Sequence, residues 1–253
     1  SGRCKCSEEE IAEALNGYYK EDELFLLKTN YEAFCFFDNQ LYEIDRKITE
    51  LLVTFPLKKD KDETAPPSKK SKYQKKNKND IRTNKNLNDI LYRILGTDLT
   101  SVTGLQPNSI LQIISEVGTD MSKFPTCNHF ASYLGFVPHN KITGGEIISS
   151  KTDRIKSSAA QAFRKIVPSI SRSDSALAGF YKRIAPRIGT GKAVVAVCRK
   201  LAIIFYNTIV YGNEYVEYGQ EKYKEKMKER EKKLVLKLAQ KNNWDVSSSL
   251  LGN

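Results

Sequence analysis

A mainly α-helical protein, with a helical hairpin or coiled-coil segment followed by a helical domain carrying a small loop or β-hairpin, is predicted by three observations. Apolar residues recur at spacings of three, four and seven along most of the chain, the mark of helices with one buried face. A hydrophobic content of 40% over 253 residues supplies a core for one large domain or two small ones. Between Pro56 and Asn86 that pattern stops: ten Lys and one Arg stand against four acids, with almost no large aliphatic residue. Four segments result: a helical segment over 1–56, a basic linker over 57–86, a domain over 87–212, and a charged helix and tail over 213–253.

Ser7-Glu8-Glu9-Glu10 is a capping-box pattern ahead of Ile11, Ala14 and Leu15 and predicts a short helix over 7–17. Over 21–55, Leu24, Leu27, Tyr31, Phe34, Leu41, Ile48, Leu52 and Phe55 mark one face of a long helix that Pro56 ends. Asp38 and Asp45 fall on the same seam, where a polar residue fixes register or orients a partner helix. An antiparallel helical hairpin is the plainer alternative. The linker cannot bury enough apolar surface to offset the entropy of ordering it, so it is expected to stay solvated unless a polyanion orders it. Within it Tyr73 sits among Lys69, Lys70, Lys72, Lys75 and Lys76, an aromatic among phosphate-neutralising cations that suits an unpaired base. Simple solubilisation explains the run equally well.

Residues 87–118 predict helix, turn, helix. Gly104 permits the turn and Pro107 opens the second helix, whose free amides would then face a phosphate, as in a helix-hairpin-helix grip on the DNA backbone. Gln106 stands where that motif has a second glycine, and helix packing is the competing account. A short helix then ends near Gly135, and a loop at Thr143 leads into a small hairpin through Ile147 and Ile148. Three further helices are marked by Ile155 to Ile166, by Leu177, Phe180, Tyr181 and Ile184, and by Val194, Val197, Leu201, Ile204, Phe205 and Thr208. A charged terminal helix follows over 217–244.

The formal charge of +11 and a pI near 9.3 point to a polyanion, nucleic acid or an anionic membrane surface. A membrane span is not expected, because Arg199 and Lys200 interrupt the most apolar stretch near its middle. Residues 1–6 have no export-signal pattern, and the absence of an initial methionine suggests a fragment. Cysteines at 4, 6, 35, 127 and 198 make neither a disulfide framework nor paired zinc ligands. A thiol paired with His129 or His139 would make a nucleophile and base, but buried cysteines and loop histidines are far commoner.

Chemistry concentrates at Thr143-Gly144-Gly145-Glu146. Two glycines beside a hydroxyl leave room for a phosphodiester to meet the hydroxyl and the backbone together, with Lys141, Lys151, Arg154 and Lys156 close by in sequence. An ordinary hairpin turn has the same composition.

The order of several long motifs is distinctive: Leu-Thr-Ser-Val-Thr-Gly-Leu over 99–105, Ile-Ser-Glu-Val-Gly-Thr-Asp-Met-Ser-Lys-Phe-Pro over 114–125, His-Phe-Ala-Ser-Tyr-Leu-Gly-Phe-Val-Pro over 129–138, Asn-Lys-Ile-Thr-Gly-Gly over 140–145, and Tyr-Val-Glu-Tyr-Gly-Gln-Glu over 215–221. In this the chain resembles the DEDD-type insertion-sequence transposases, the IS-one-ten group of bridge-RNA-guided recombinases. The resemblance implies an enzyme with an amino-terminal RuvC-like domain bearing four metal-binding carboxylates, a coiled-coil segment, and a carboxy-terminal domain bearing a nucleophilic serine; only the last two parts have counterparts here. It places Thr143 at the serine's position, where the family writes Ser-Gly-Gly-Lys; Lys141, Lys151, Arg154 and Lys156 are, by charge and nearness in sequence, the candidate phosphate contacts. It further implies DNA and a structured guide RNA as partners, a homo-oligomer, no membrane, a location with the nucleoid in the cytoplasm, and Mg2+ for the full-length enzyme, with no cofactor in this chain. Threonine keeps the hydroxyl but adds a methyl that restricts its rotamers, and Glu146 repels phosphate where the family's lysine attracts it. Strand exchange is therefore not expected of this chain without the metal-binding domain. The alternatives are a non-catalytic nucleic-acid-binding remnant of such an element and a purely structural helical assembly protein.

Overall fold

The protein, here as a computed structural model, is described for residues 6–17, 19–60, 63–66, 81, 87–152, 155–214, 225, 228–233, 235–236 and 238–239, without the side chains of 140–142, 147, 150 and 151. The fold is mainly helical, as the periodicity predicts, and it divides into two compact units at Val53/Thr54.

The first unit holds helix α1 (Glu8–Ala14) and helix α2 (Glu21–Val53). The capping box forms as written: the Glu10 amide donates to Ser7 Oγ at 3.1 Å, and the Ser7 amide donates to Glu10 Oε2 at 2.8 Å. Its second helix is continuous for 33 residues, about 50 Å at 1.5 Å per residue. The hairpin alternative is therefore not realised within it. Phe34, Phe37, Leu41 and Ile44 along this helix are all more than half exposed.

The second unit is a helical domain around one core. Its elements are α3 (Leu87–Leu95), α4 (Pro107–Val117), α5 (Cys127–Tyr133), strands β1 (Pro138–Thr143) and β2 (Glu146–Thr152), α6 (Ser158–Ser171), α7 (Ala176–Ile188) and α8 (Thr190–Tyr211), with short 3-10 turns at 99–101 and 121–123. Helix α4 packs on α6, and α5, α6 and α7 all pack on α8. Of the stripe predicted for α8, Val197, Leu201, Phe205 and Thr208 are inaccessible, while Val194 and Ile204 are half-buried; Ala193 and Ala202 complete the buried face. Length and composition alone would let α8 cross a membrane, but it serves as the central helix of this core. Cys198 lies on the same buried face, and burial pushes its thiol up to about 12, so it stays protonated and is no nucleophile.

The first part of the basic segment is more ordered than its composition predicts. The amides of Lys58 and Lys59 both donate to the Arg93 carbonyl, Arg93 Nε donates to the Glu63 carbonyl at 3.1 Å, and the Ala65 amide donates to Asp89 Oδ1 at 2.9 Å. Residues 58, 59, 63 and 65 are thus held along α3 by backbone groups and two side chains of that helix, instead of lying in solvated linker. Lys69, Lys70, Lys72, Tyr73, Lys75 and Lys76 lie outside the described residues. The described positions between 225 and 239 are helical, in keeping with the charged terminal helix.

Candidate nucleophile turn and nucleic-acid interface

The hairpin that carries Thr143 has two rigid roots. On the β1 side, α5 is capped by Thr126, whose hydroxyl also meets His129 Nδ1 at 2.8 Å, so this histidine has a structural partner at a helix start. Phe130 of α5 sits fully buried among Phe124, Phe163, Phe205 and Tyr206. Beyond α5, Phe136 packs edge-on against Phe163 at 5.9 Å and carries the Arg164 guanidinium over its ring at 5.5 Å. Two residues later β1 begins.

On the β2 side the chain runs into Ser157, the N-cap of α6, whose hydroxyl accepts from the Ala160 amide at 2.9 Å. Helix α4 holds the same helix start from outside: Gln112 donates to Ser158 Oγ at 3.0 Å, and Glu116 Oε2 accepts from the Ala159 amide at 3.0 Å. A carboxylate at a helix N-terminus satisfies orphan amides and favours the helix dipole. Partial burial lifts the Glu116 carboxyl, but hydrogen bonds from the Ser157 hydroxyl and the Ala159 and Ser158 amides outweigh it and hold the group below the ordinary glutamate range. A pKa depressed in the folded state stabilises at pH above the unfolded value and is lost as pH falls through the folded one. Glu116→Gln should therefore cost about 0.5–1 kcal/mol at neutral pH, a small figure because the side chain is exposed to solvent. The gap between the two proteins in urea midpoint should narrow as pH falls through and then below the ordinary glutamate range, and a gap that persists once the carboxyl is protonated would show that the carboxylate's charge is not what caps α6.

At the tip, Gly144 and Gly145 have φ of 60° and 84°, the pair of left-handed residues that a two-residue type I′ hairpin requires. A Cβ added at either would meet nothing within 4 Å. The glycines are thus needed for backbone conformation, while open space around the turn is a property of the tip itself. Both readings of Thr-Gly-Gly are compatible with this arrangement: it is a hairpin turn, and it leaves Thr143 exposed with free access.

The register adds what spacing could not show. Thr143 pairs with Glu146 and Ile142 with Ile147, but Lys141 pairs with Ser149 and His139 with Lys151, so β2 contains one extra residue at Ile148. Alternation along a strand then puts positions 139, 141 and 143, with 146, 149 and 151 across from them, on one face of the hairpin. Without the bulge, 149 and 151 would fall on the opposite face. One basic position, Lys151, is phased onto the face of Thr143 by a single inserted residue, while position 141 shares that face by alternation along β1, and Glu146 pairs directly with Thr143.

Lys156 is exposed at the base of β2. Lys141 and Lys151 hold the strand positions just given, their side chains outside the described residues, as is Arg154 altogether. Gly104 has a packing explanation. A Cβ there would lie 2.6 Å from Ile170 Cγ1 and 2.8 Å from Ile166 Cγ2, and its φ is +95°, so glycine is what allows the turn before α4 to sit against α6. Pro107 occupies the first turn of α4 as expected. For Mg2+, the described residues contain no group of three or more His, Cys, Asp or Glu that fits a metal ion, and no step below is routed through one.

Fold and site together define a mainly helical, strongly basic domain that displays a hydroxyl on a two-glycine hairpin. Residues 96–182 match the model of the Transposase IS116/IS110/IS902 family, from the end of α3 through the hairpin to the middle of α7, and this part of the chain is a transposase domain of that type. No curated protein and no solved structure matches the chain.

Proposed function

We propose that this chain works in DNA transposition, with Thr143 as the nucleophile presented to a DNA phosphodiester by the β1–β2 hairpin. The observation that carries the reading is the exposed hydroxyl beside a turn of two open glycines, on the hairpin face that also holds positions 141 and 151. In the step concerned, Thr143 Oγ1 forms a bond to phosphorus as one P–O bond of the DNA backbone breaks. The hydroxyl proton leaves to solvent or to the departing oxygen, and a free DNA hydroxyl end is released. The protein-linked phosphoester conserves the bond until another strand end displaces the threonine. Lys141, Lys151, Arg154 and Lys156 neutralise phosphates around this point. A structured guide RNA and Mg2+ belong to the proposal for the full-length enzyme. A homo-oligomer is supported by the exposed apolar residues of α2, which suit a coiled-coil partner.

The test is a nicked duplex from which the released end diffuses away, with the metal-binding domain and Mg2+ supplied. A covalent protein–DNA adduct mapping to residue 143 is expected, faster in Thr143→Ser and absent in Thr143→Ala. Unchanged adduct in Thr143→Ala would sink the assignment and turn attention to Ser149 and Ser150. A second reading, a nucleic-acid-binding remnant without chemistry, has one observation in its favour: Glu146 lies opposite Thr143 and places a like charge beside any incoming phosphate. It predicts salt-dependent binding with no adduct under any of these conditions.

A further inference from the structure

The hairpin does not use a second run of one-sided charge that lies in the helical domain. Between residues 156 and 213 the chain holds ten Lys and Arg and a single acid, Asp174, and helices α6, α7 and α8 contain no acidic residue at all. On α7 the exposed cations are Lys182, Arg183 and Arg187; on α8 they are Lys192 and Lys200. A face that only needs to be soluble mixes both signs, since a single sign repels itself. Among the described residues the ion pairs lie in α2 and in 59–63, and none engages these five cations.

The packing of α7 on α8 brings four of these cations, Arg183, Arg187, Lys192 and Lys200, onto one helix pair. The two helices are joined by Gly189 alone, so Arg187 and Lys192 flank the connection. Further along, the cations converge on one ring: Lys200 Nζ lies 4.5 Å and Arg183 Cζ 5.6 Å from the centroid of Phe180. An aromatic face attracts each cation and fixes both at one place, although they repel each other. From Lys192 to Lys200 the cations span about 12 Å along α8, enough for three to four phosphates of one strand at about 3.4 Å each.

We infer that the Arg183, Arg187, Lys192 and Lys200 strip of α7 and α8 is a second nucleic-acid surface, separate from the Thr143 hairpin, that grips the phosphodiester backbone of DNA or RNA without reading bases. Backbone contacts of this kind set the position of a strand and make affinity fall steeply with salt. The strip extends beyond the segment that matches the transposase family, which ends within α7.

The test uses the full chain, a 20-base-pair DNA duplex and an RNA hairpin of similar length, titrated by fluorescence anisotropy from 50 to 300 mM salt. Replacing all four residues by Gln should weaken binding at least tenfold and lower the slope of log affinity against log salt by about three. Whichever nucleic acid loses more is the strand held there; loss with either supports the surface. The Arg183→Lys/Arg187→Lys variant keeps its charge and should bind within about twofold, and thermal melts of both variants control for folding. Unchanged affinity and slope in a folded Gln variant overturn the proposal, as does loss of binding only to phosphatidylserine vesicles. Lys156→Gln, at the hairpin base, is run alongside: if it alone weakens binding, the hairpin reading stands and this one fails, and the reverse separates them the other way.

Discussion

Gly104→Val should destabilise the helical domain by about 2–5 kcal/mol, read as a fall in the urea midpoint with an unchanged slope. Two costs combine. The new Cβ would meet Ile170 Cγ1 at 2.6 Å and Ile166 Cγ2 at 2.8 Å, so α6 has to move or two isoleucines have to leave their rotamers. Overpacking of that kind costs about 1–3 kcal/mol. A φ of +95° adds about 1–2 kcal/mol for a residue with a Cβ, and a β-branched one tolerates it least. Gly144→Ala separates the terms: its φ is also positive but nothing lies within 4 Å, so only the backbone cost applies. A Gly104→Val protein as stable as Gly144→Ala would show that the turn before α4 is not seated on α6. The consequence reaches the hairpin, because α6 starts at the Ser157 cap where β2 is rooted, and a displaced α6 carries that root with it.

The contrast between these two glycines shows how far residue order could be read. Both were legible as turn residues, and the hairpin turn was visible in Thr-Gly-Gly. What a sequence cannot display is which side chains approach a glycine from far along the chain: Gly104 was legible as the residue that permits the turn, but not that a Cβ there would meet Ile166 and Ile170. Periodic elements were legible because burial repeats with the helix: α4 and the Val197, Leu201, Phe205 stripe of α8 lie where their spacing put them, and α2 also lies where its periodicity put it although its apolar residues are exposed in this chain. The Ser7 box was legible because capping is local. The Ile148 bulge was not, since an extra strand residue leaves no compositional trace and yet decides which face 149 and 151 share. Residues 58, 59, 63 and 65 were misjudged for a related reason. They are held by backbone amides and carbonyls, which every sequence has, while their lysines suggested solvent. The absence of acids from helices α6, α7 and α8 was open to view, but only the packing of α7 on α8 brings the cations of those two helices together.

Phe130→Ala should cost about 3–5 kcal/mol, with folded protein lost at moderate urea. The ring is fully buried and lies 5.2 Å from Phe124, 6.0 Å from Phe205, 6.0 Å from Tyr206 and 6.5 Å from Phe163, so its removal opens a cavity bounded by rings from three parts of the fold. Aromatic neighbours held on separate helices cannot close such a space without moving those helices, and the cavity cost adds to the lost burial. Tyr206 is less free still, because its hydroxyl donates to the Phe124 carbonyl at 2.7 Å. Tyr133, also on α5, is 45% exposed, and Tyr133→Ala should cost well under half as much. Equal losses would mean that α5 is stabilised by its own helix and not by this cluster. Because β1 starts a few residues beyond α5, a Phe130→Ala protein refolded in stabilising buffer should bind DNA more weakly than its folded fraction accounts for. Binding that tracks the folded fraction alone would show that the hairpin takes its position from the α6 root.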